Sequence, residues 1–161
     1  TLNFLTEHGI TEYAVLLERA ETIAADFESV STSIKQMEHR MEQIAALKTH
    51  IINYAKTRDT YAAYRKTKAA DKPAFRTAHE ADLLLHEAAK RAFDAQGVKK
   101  LPTVKVLQVE YTELLAKKKA AYEDYKRLRK ENQELQAVKS NVDTLLCIDE
   151  EQQEKKLEQS K

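Results

Sequence analysis

The sequence has no tryptophan, one cysteine, and only two glycines and two prolines among 161 residues. So few Gly and Pro leave little provision for the tight turns that a sheet needs, and the expected class is all-α. The lone Cys147 has no intrachain partner for a disulfide and no second thiolate for a metal site, which fits a reducing, cytoplasmic compartment. Nowhere do eighteen or more apolar residues run together, and no basic stretch leads into an apolar one. Neither a membrane span nor a signal peptide is expected. Aromatics make up 7% and charged residues 33%, a balance too polar for a compact globule. The chain opens at Thr1 without a Met, inside helical-looking sequence, and reads as a piece of a larger protein.

What is present is heptad order. From Thr103 to Ile148, steps of four and three pick out Leu107, Tyr111, Leu114, Lys118, Ala121, Tyr125, Leu128, Asn132, Leu135, Lys139, Val142 and Leu146. A stripe this narrow, uninterrupted by Gly or Pro, predicts one helix over about 103–148 with a seam against another helix. One position type is apolar throughout. The other is half polar, as in coiled coils that fix register with polar residues at some cost in stability.

A second seam runs Ile23, Phe27, Val30, Ile34, Met37, Met41, Ile44, skips at Lys48, and resumes at Ile51 and Ala55. It predicts a helix over about 11–66, which at 1.5 Å per residue would span roughly 80 Å. Before it, 1–8 reads as the end of another helix closed by Gly9. Thr11 is placed to cap the new one, with Ile10 and Val15 as a hydrophobic staple. Between the seams, Asp71 and Pro73 suit a helix start, and a helix over about 74–96 is stopped by Gly97 and Pro102. Thr103 then caps the returning helix.

The expected architecture is an extended antiparallel helical hairpin, a coiled-coil stalk carrying a small helical head, in one domain over 1–148. A straight up-down-up bundle would leave the last helix parallel to the second, and short connections favour the hairpin. The remaining segment, 149–161 (DEEQQEKKLEQSK), has almost no apolar content and is expected to fray or be disordered.

Catalytic groupings are scarce. His79 and His86 lie seven residues apart, about 10 Å along a helix, too far to share a Zn²⁺ with bonds near 2 Å. Only Asp82 and His86 have a four-residue spacing, and a solvated or head-packing histidine is the preferred reading. Tyr54, Tyr61, Tyr111 and Tyr125 fall on or beside the apolar stripes, where packing explains them without nucleophilic chemistry. Neither a cofactor, a metal nor a small-molecule substrate is expected.

Charge is the most functional-looking feature. Residues 1–50 carry four basic and eight acidic side chains (−4), 51–130 carry nineteen and ten (+9), and 131–161 carry four and eight (−4). The candidate DNA contacts in the basic middle are Arg58, Arg65, Lys66, Lys99, Lys100, Lys117, Lys118, Lys119, Lys126, Arg127, Arg129 and Lys130, with Lys68, Lys72, Arg76 and Lys105 nearby. Clustered cations bind phosphates through counterion release regardless of base sequence. The competing reading is a solvated face with local pairs such as Glu123 with Arg127.

The order of segments has its own signature: NFLTEHGI, a long helix ending in KTRDTYAAYRK, then HEADLLLHEAAKRAFDAQGVKKLP, then EYTELLAKKKAAYEDYK and ENQELQAVKSNVDTLL. Over residues 1–148 this resembles the region following the catalytic domain in relaxases, the mobilisation proteins of bacterial conjugative elements and plasmids. The resemblance implies a parent that nicks one DNA strand with an active-site tyrosine and a histidine-held metal, and travels with the strand into the recipient. No closely spaced histidine motif is present here, so no catalytic residue is carried over and this segment is not expected to be an enzyme.

What the resemblance implies is an accessory role. The first expectation is a protein-interaction or oligomerisation coiled coil, meeting partners in the DNA-processing and transfer complex or a second copy of itself, with Ile34, Met41, Ile44, Leu114, Leu128 and Leu135 as the seam. The alternative is a sequence-independent DNA-binding arm using the basic middle.

Overall fold

A computed structural model describes residues 12–159, with side chains described through Cys147. The expectations for Gly9, Thr11 and the Ile10–Val15 staple lie outside the described residues. Among the described residues the chain is all-helical, with four helices: α1 (Tyr13–Lys66), α2 (Lys72–Ala78), α3 (Glu80–Ala95) and α4 (Val104–Gln159). Close contacts divide the described residues into two units, one from 12–35 with 119–159, the other from 36–118.

In the first unit the N-terminal part of α1 lies antiparallel to the C-terminal part of α4. Tyr13 donates to Asp143, Arg19 meets Glu131 at 2.9 Å, and Phe27 meets Tyr125 with centroids 5.1 Å apart, so numbering falls on one strand of the pair as it rises on the other. Leu16, Ala20, Leu135 and Val138 form the buried centre, with Ile23 and Val142 packed on it. Ile34 and Leu128 are also buried. Polar groups also lie in this seam: among the described residues Asn132 Oδ1 and Arg19 Nε are buried without a hydrogen-bond partner.

In the second unit, α1 from residue 36 onward packs with α2, α3 and the start of α4. Ile44, Leu47, Ala89, Phe93 and Leu107 form its centre, with Ile51, Tyr54, Val98, Tyr111 and Leu114 partly buried around it. Met41 is buried as well. Where the heptad stripe skips at Lys48, Leu47 takes the core position and Lys48 turns aside to donate to Gln108. The shift by one residue matches the arrival of Ala89 and Phe93 from α3, which widens the apolar stripe. Arg40 makes a bidentate pair with Glu110 (2.6 and 3.0 Å), and Lys118 pairs with Glu38 at 2.7 Å.

The helix expected over 74–96 is two helices. His79 leaves the helical region (φ −124°, ψ 28°) between α2 and α3. In a straight helix Arg76 and Glu87, eleven residues apart, would sit about 16 Å apart along the axis. The break brings them into a bidentate pair at 3.0 and 3.1 Å. Asp71 does start α2, with Pro73 in its first turn, through its backbone carbonyl, which accepts from Phe75 N; its side chain makes no cap.

Gly97 ends α3 at φ +64°. Its N–H bonds the Asp94 carbonyl, and Val98 N bonds the Phe93 carbonyl, the paired bonds of a Schellman cap. Val98 also packs against the core cluster that holds Phe93. Thr103 Oγ1 accepts from Val106 N at 3.2 Å and caps α4. At the other end α4 runs on to Gln159, past residue 148 where the polar tail is expected to fray. Glu, Gln, Lys and Leu dominate that stretch, and all are strong helix formers.

Candidate nucleic-acid interface

Tyr54, Thr57, Tyr61 and Tyr64 recur at steps of three and four, so α1 presents them on one face. The rings meet α2 and α3. His86 is buried and stacked on both sides, with Tyr54 at 4.4 Å and Tyr61 at 4.1 Å between centroids. Phe93 closes on Tyr54 edge-on at 5.7 Å, and Phe75 lies 6.1 Å from Tyr64.

Polar groups lock this stack. The Thr57 hydroxyl donates to the Asn53 carbonyl at 2.7 Å. With its one proton committed, its contact with His86 Nδ1 at 3.0 Å requires the imidazole to donate, which assigns the proton to Nδ1. Burial, and after it the neighbouring Lys90, holds His86 below the ordinary histidine pKa. Thr60 donates to Asp82 at 3.1 Å. The Arg76 guanidinium holds the Glu87 carboxyl below its usual range.

The trio His79, Asp82 and His86 is thus taken up by other contacts: His79 against Phe75 at 4.3 Å, Asp82 by Thr60, and His86 by two tyrosines and Thr57. Among the described residues, no group of three His, Cys, Asp or Glu side chains is placed to hold a metal ion. No helix among them is long and apolar enough to cross a membrane.

Cations surround the tyrosines. Lys90 Nζ sits 5.5 Å from the Tyr61 ring centre and Lys72 Nζ 5.4 Å from that of Tyr64. Arg65 and Lys66 are exposed with no ion pair among the described residues, and Arg58, also exposed, reaches only its neighbour Asp59 at 3.4 Å. Arg58 and Arg65 are seven residues apart and so share a side of α1. Lys72, which the sequence places beside the candidate contacts, and Lys90, which the sequence alone did not single out, belong to this edge because the rings beneath them do.

The other predicted cations are dispersed. Lys99 and Lys100 are exposed in the α3–α4 connection and Lys117 on α4, all in the second unit. Lys118 of the same unit is paired to Glu38. Lys119, Lys126, Arg127, Arg129 and Lys130 belong to the first unit. There Lys126 pairs with Glu123, Arg127 with Asp124 rather than Glu123, and Lys130 with Glu134. Such exposed local pairs contribute only about 0.3–0.5 kcal/mol and mark a solvated helix face.

No family model, no curated protein and no solved structure matches this chain.

Proposed function

We propose that this chain is a non-catalytic helical region of a relaxase-like mobilisation protein, an extended antiparallel hairpin whose small head holds DNA without reading its sequence during conjugative transfer. The observation that carries the reading is the edge where Lys90 and Lys72 overlie Tyr61 and Tyr64, flanked by exposed Arg58, Arg65 and Lys66. Clustered cations serve phosphate contact, and no base-reading element is required.

The seam supports DNA over partner docking. Ile34, Met41, Ile44, Leu128 and Leu135 are buried and Leu114 is half-buried within a single chain. Side chains already covered leave little apolar seam for a partner helix.

The test is binding to short single-stranded and duplex DNA over a salt series. About three phosphate contacts predict a log–log slope near −2.7 on duplex, roughly fortyfold weaker binding between 50 and 200 mM salt. Replacing Arg58, Arg65 and Lys90 with Glu should abolish binding, whereas Lys126→Glu with Lys130→Glu should weaken it less. If wild type fails to bind at low salt, the chain is a docking element for other members of the transfer complex instead; if the triple variant binds like wild type, the tyrosine edge is not the DNA contact.

A further inference from the structure

α2 is the one described helix without a buried residue. What holds it lies at the surface. The Phe75 ring sits 6.1 Å and Lys72 Nζ 5.4 Å from the centre of the Tyr64 ring, and the partly exposed Arg76 reaches back to Glu87 on α3.

The break between α2 and α3 leaves backbone groups unjoined. His79 N bonds the Phe75 carbonyl and Leu83 N the His79 carbonyl, so the ladder is interrupted at the amides between them, Glu80, Ala81 and Asp82. A helix straight through His79 would join those three to the carbonyls of Arg76, Thr77 and Ala78, four residues earlier. The sequence raises no obstacle: from Phe75 to Leu83 there is no Gly, no Pro and no β-branched residue except Thr77. Nor does the connection. Thr57 with His86 and Thr60 with Asp82 run α1 antiparallel to α3, and the five residues 67–71 between α1 and α2 can stretch to about 16 Å.

Bent and straight forms therefore trade three backbone hydrogen bonds against exposed side-chain contacts, each of small effect. A ligand can tip such a balance when it binds one form better. DNA has the means to do so. In the bent form the Arg76 guanidinium is neutralised by both Glu87 oxygens. In the straight form the two part along the helix axis, and Arg76 is free for a phosphate.

We propose that α2 is a hinged flap on the DNA edge, folded back at His79 in the free protein and drawn into one straight helix with α3 when phosphate takes Arg76 from Glu87. The proposal rests on DNA binding by the tyrosine edge and adds its regulation: the flap masks one cation until DNA arrives.

The experiment is a spin-label distance across the hinge. With Cys147→Ser removing the free thiol, Ala74→Cys and Asp94→Cys give two exposed labelling sites twenty residues apart, which a straight helix sets about 30 Å apart along its axis. The free chain should give a shorter distance, and saturating DNA at low salt should move it to about 30 Å. Glu87→Gln should lengthen it without DNA. Ala81→Pro should hold it short with or without DNA, since proline fits the first turn of α3 and its ring would clash with the Thr77 carbonyl of a straight helix. This locked variant should bind DNA roughly two- to fivefold more weakly, the contribution of one exposed charge pair. Bound DNA with the short distance unchanged, or an Ala81→Pro variant that binds like wild type, overturns the flap and leaves the DNA reading intact. A chain that binds no DNA at low salt overturns both.

Discussion

Tyr61 and His86 lie in parallel contact, ring centroids 4.1 Å apart and planes inclined by 18°. With Tyr54 on the opposite face of the imidazole and Thr57 on its Nδ1, the ring is fixed between α1 and α3 as an uncharged packing element. A protonated ring in the same place would carry a buried charge with Lys90 nearby, and both effects oppose protonation.

That arrangement makes the second unit acid-sensitive. His86 has its folded-state pKa below its unfolded value of 6.5, so the unfolded chain binds the proton more readily. Stability contributed by the neutral ring is complete above about pH 6.5 and is lost as pH falls from there through the depressed folded pKa. A second loss follows below the ordinary carboxyl value of 4.5, where Glu87 and Glu110, both held down by arginine partners, are forced to protonate. Urea midpoints followed by circular dichroism from pH 7.5 to 3.5 should fall in these two steps. A flat profile between pH 7 and 5 would show that His86 does not report this burial.

Replacing the ring separates packing from titration. His86→Phe keeps a planar aromatic between Tyr54 and Tyr61, and the Thr57 hydroxyl loses only a donor to its oxygen while its own bond to Asn53 remains. The variant should be within about 1 kcal/mol of wild type at neutral pH, since the Thr57 hydroxyl keeps its bond to the Asn53 carbonyl and is not left without a partner. The step that begins below pH 6.5 should disappear. Retention of that step would assign it to another group.

How far the sequence announced this structure depends on the range of the signal. Leu107, Leu128 and Leu135 are buried where the heptad puts them, because a seam is a local periodicity. Gly97 and Thr103 cap where their chemistry says they do, again within a few residues. The break at His79 was not legible: no Gly or Pro marks it, and the contacts that hold it, Arg76 with Glu87 and Phe75 with Tyr64, join different elements. The cation edge was half legible. Arg58, Arg65 and Lys72 stood out as charge, but Lys90 gains significance only from Tyr61 beneath it.

Gly97 offers a clean measure of backbone strain. A Cβ built there meets nothing within 4 Å, so crowding is no part of the cost. Its φ of +64° remains unfavourable for an L-residue, at about 1–2 kcal/mol. Gly97→Ala should lower stability by about that amount, and Gly97→Asn by less, because Asn tolerates the left-handed region. Thermal unfolding of the pair checks it; equal losses would mean that the cap rearranges.

Leu135→Ala decides whether the seam is closed within one chain. Leu135 has no exposed surface and contacts a centre made with Leu16 and Ala20 of the same chain. The deletion should cost about 2–5 kcal/mol, as for other buried leucines, and the loss should be the same at every protein concentration. If the seam formed between copies, mass action would instead raise the unfolding temperature of wild type as concentration rises and enlarge the apparent loss on dilution. Ile44→Ala, fully buried in the second unit, is the matched control and should behave likewise. A concentration-dependent unfolding temperature that Leu135→Ala alone abolishes would place the Leu135 seam between copies and leave the Ile44 centre within one.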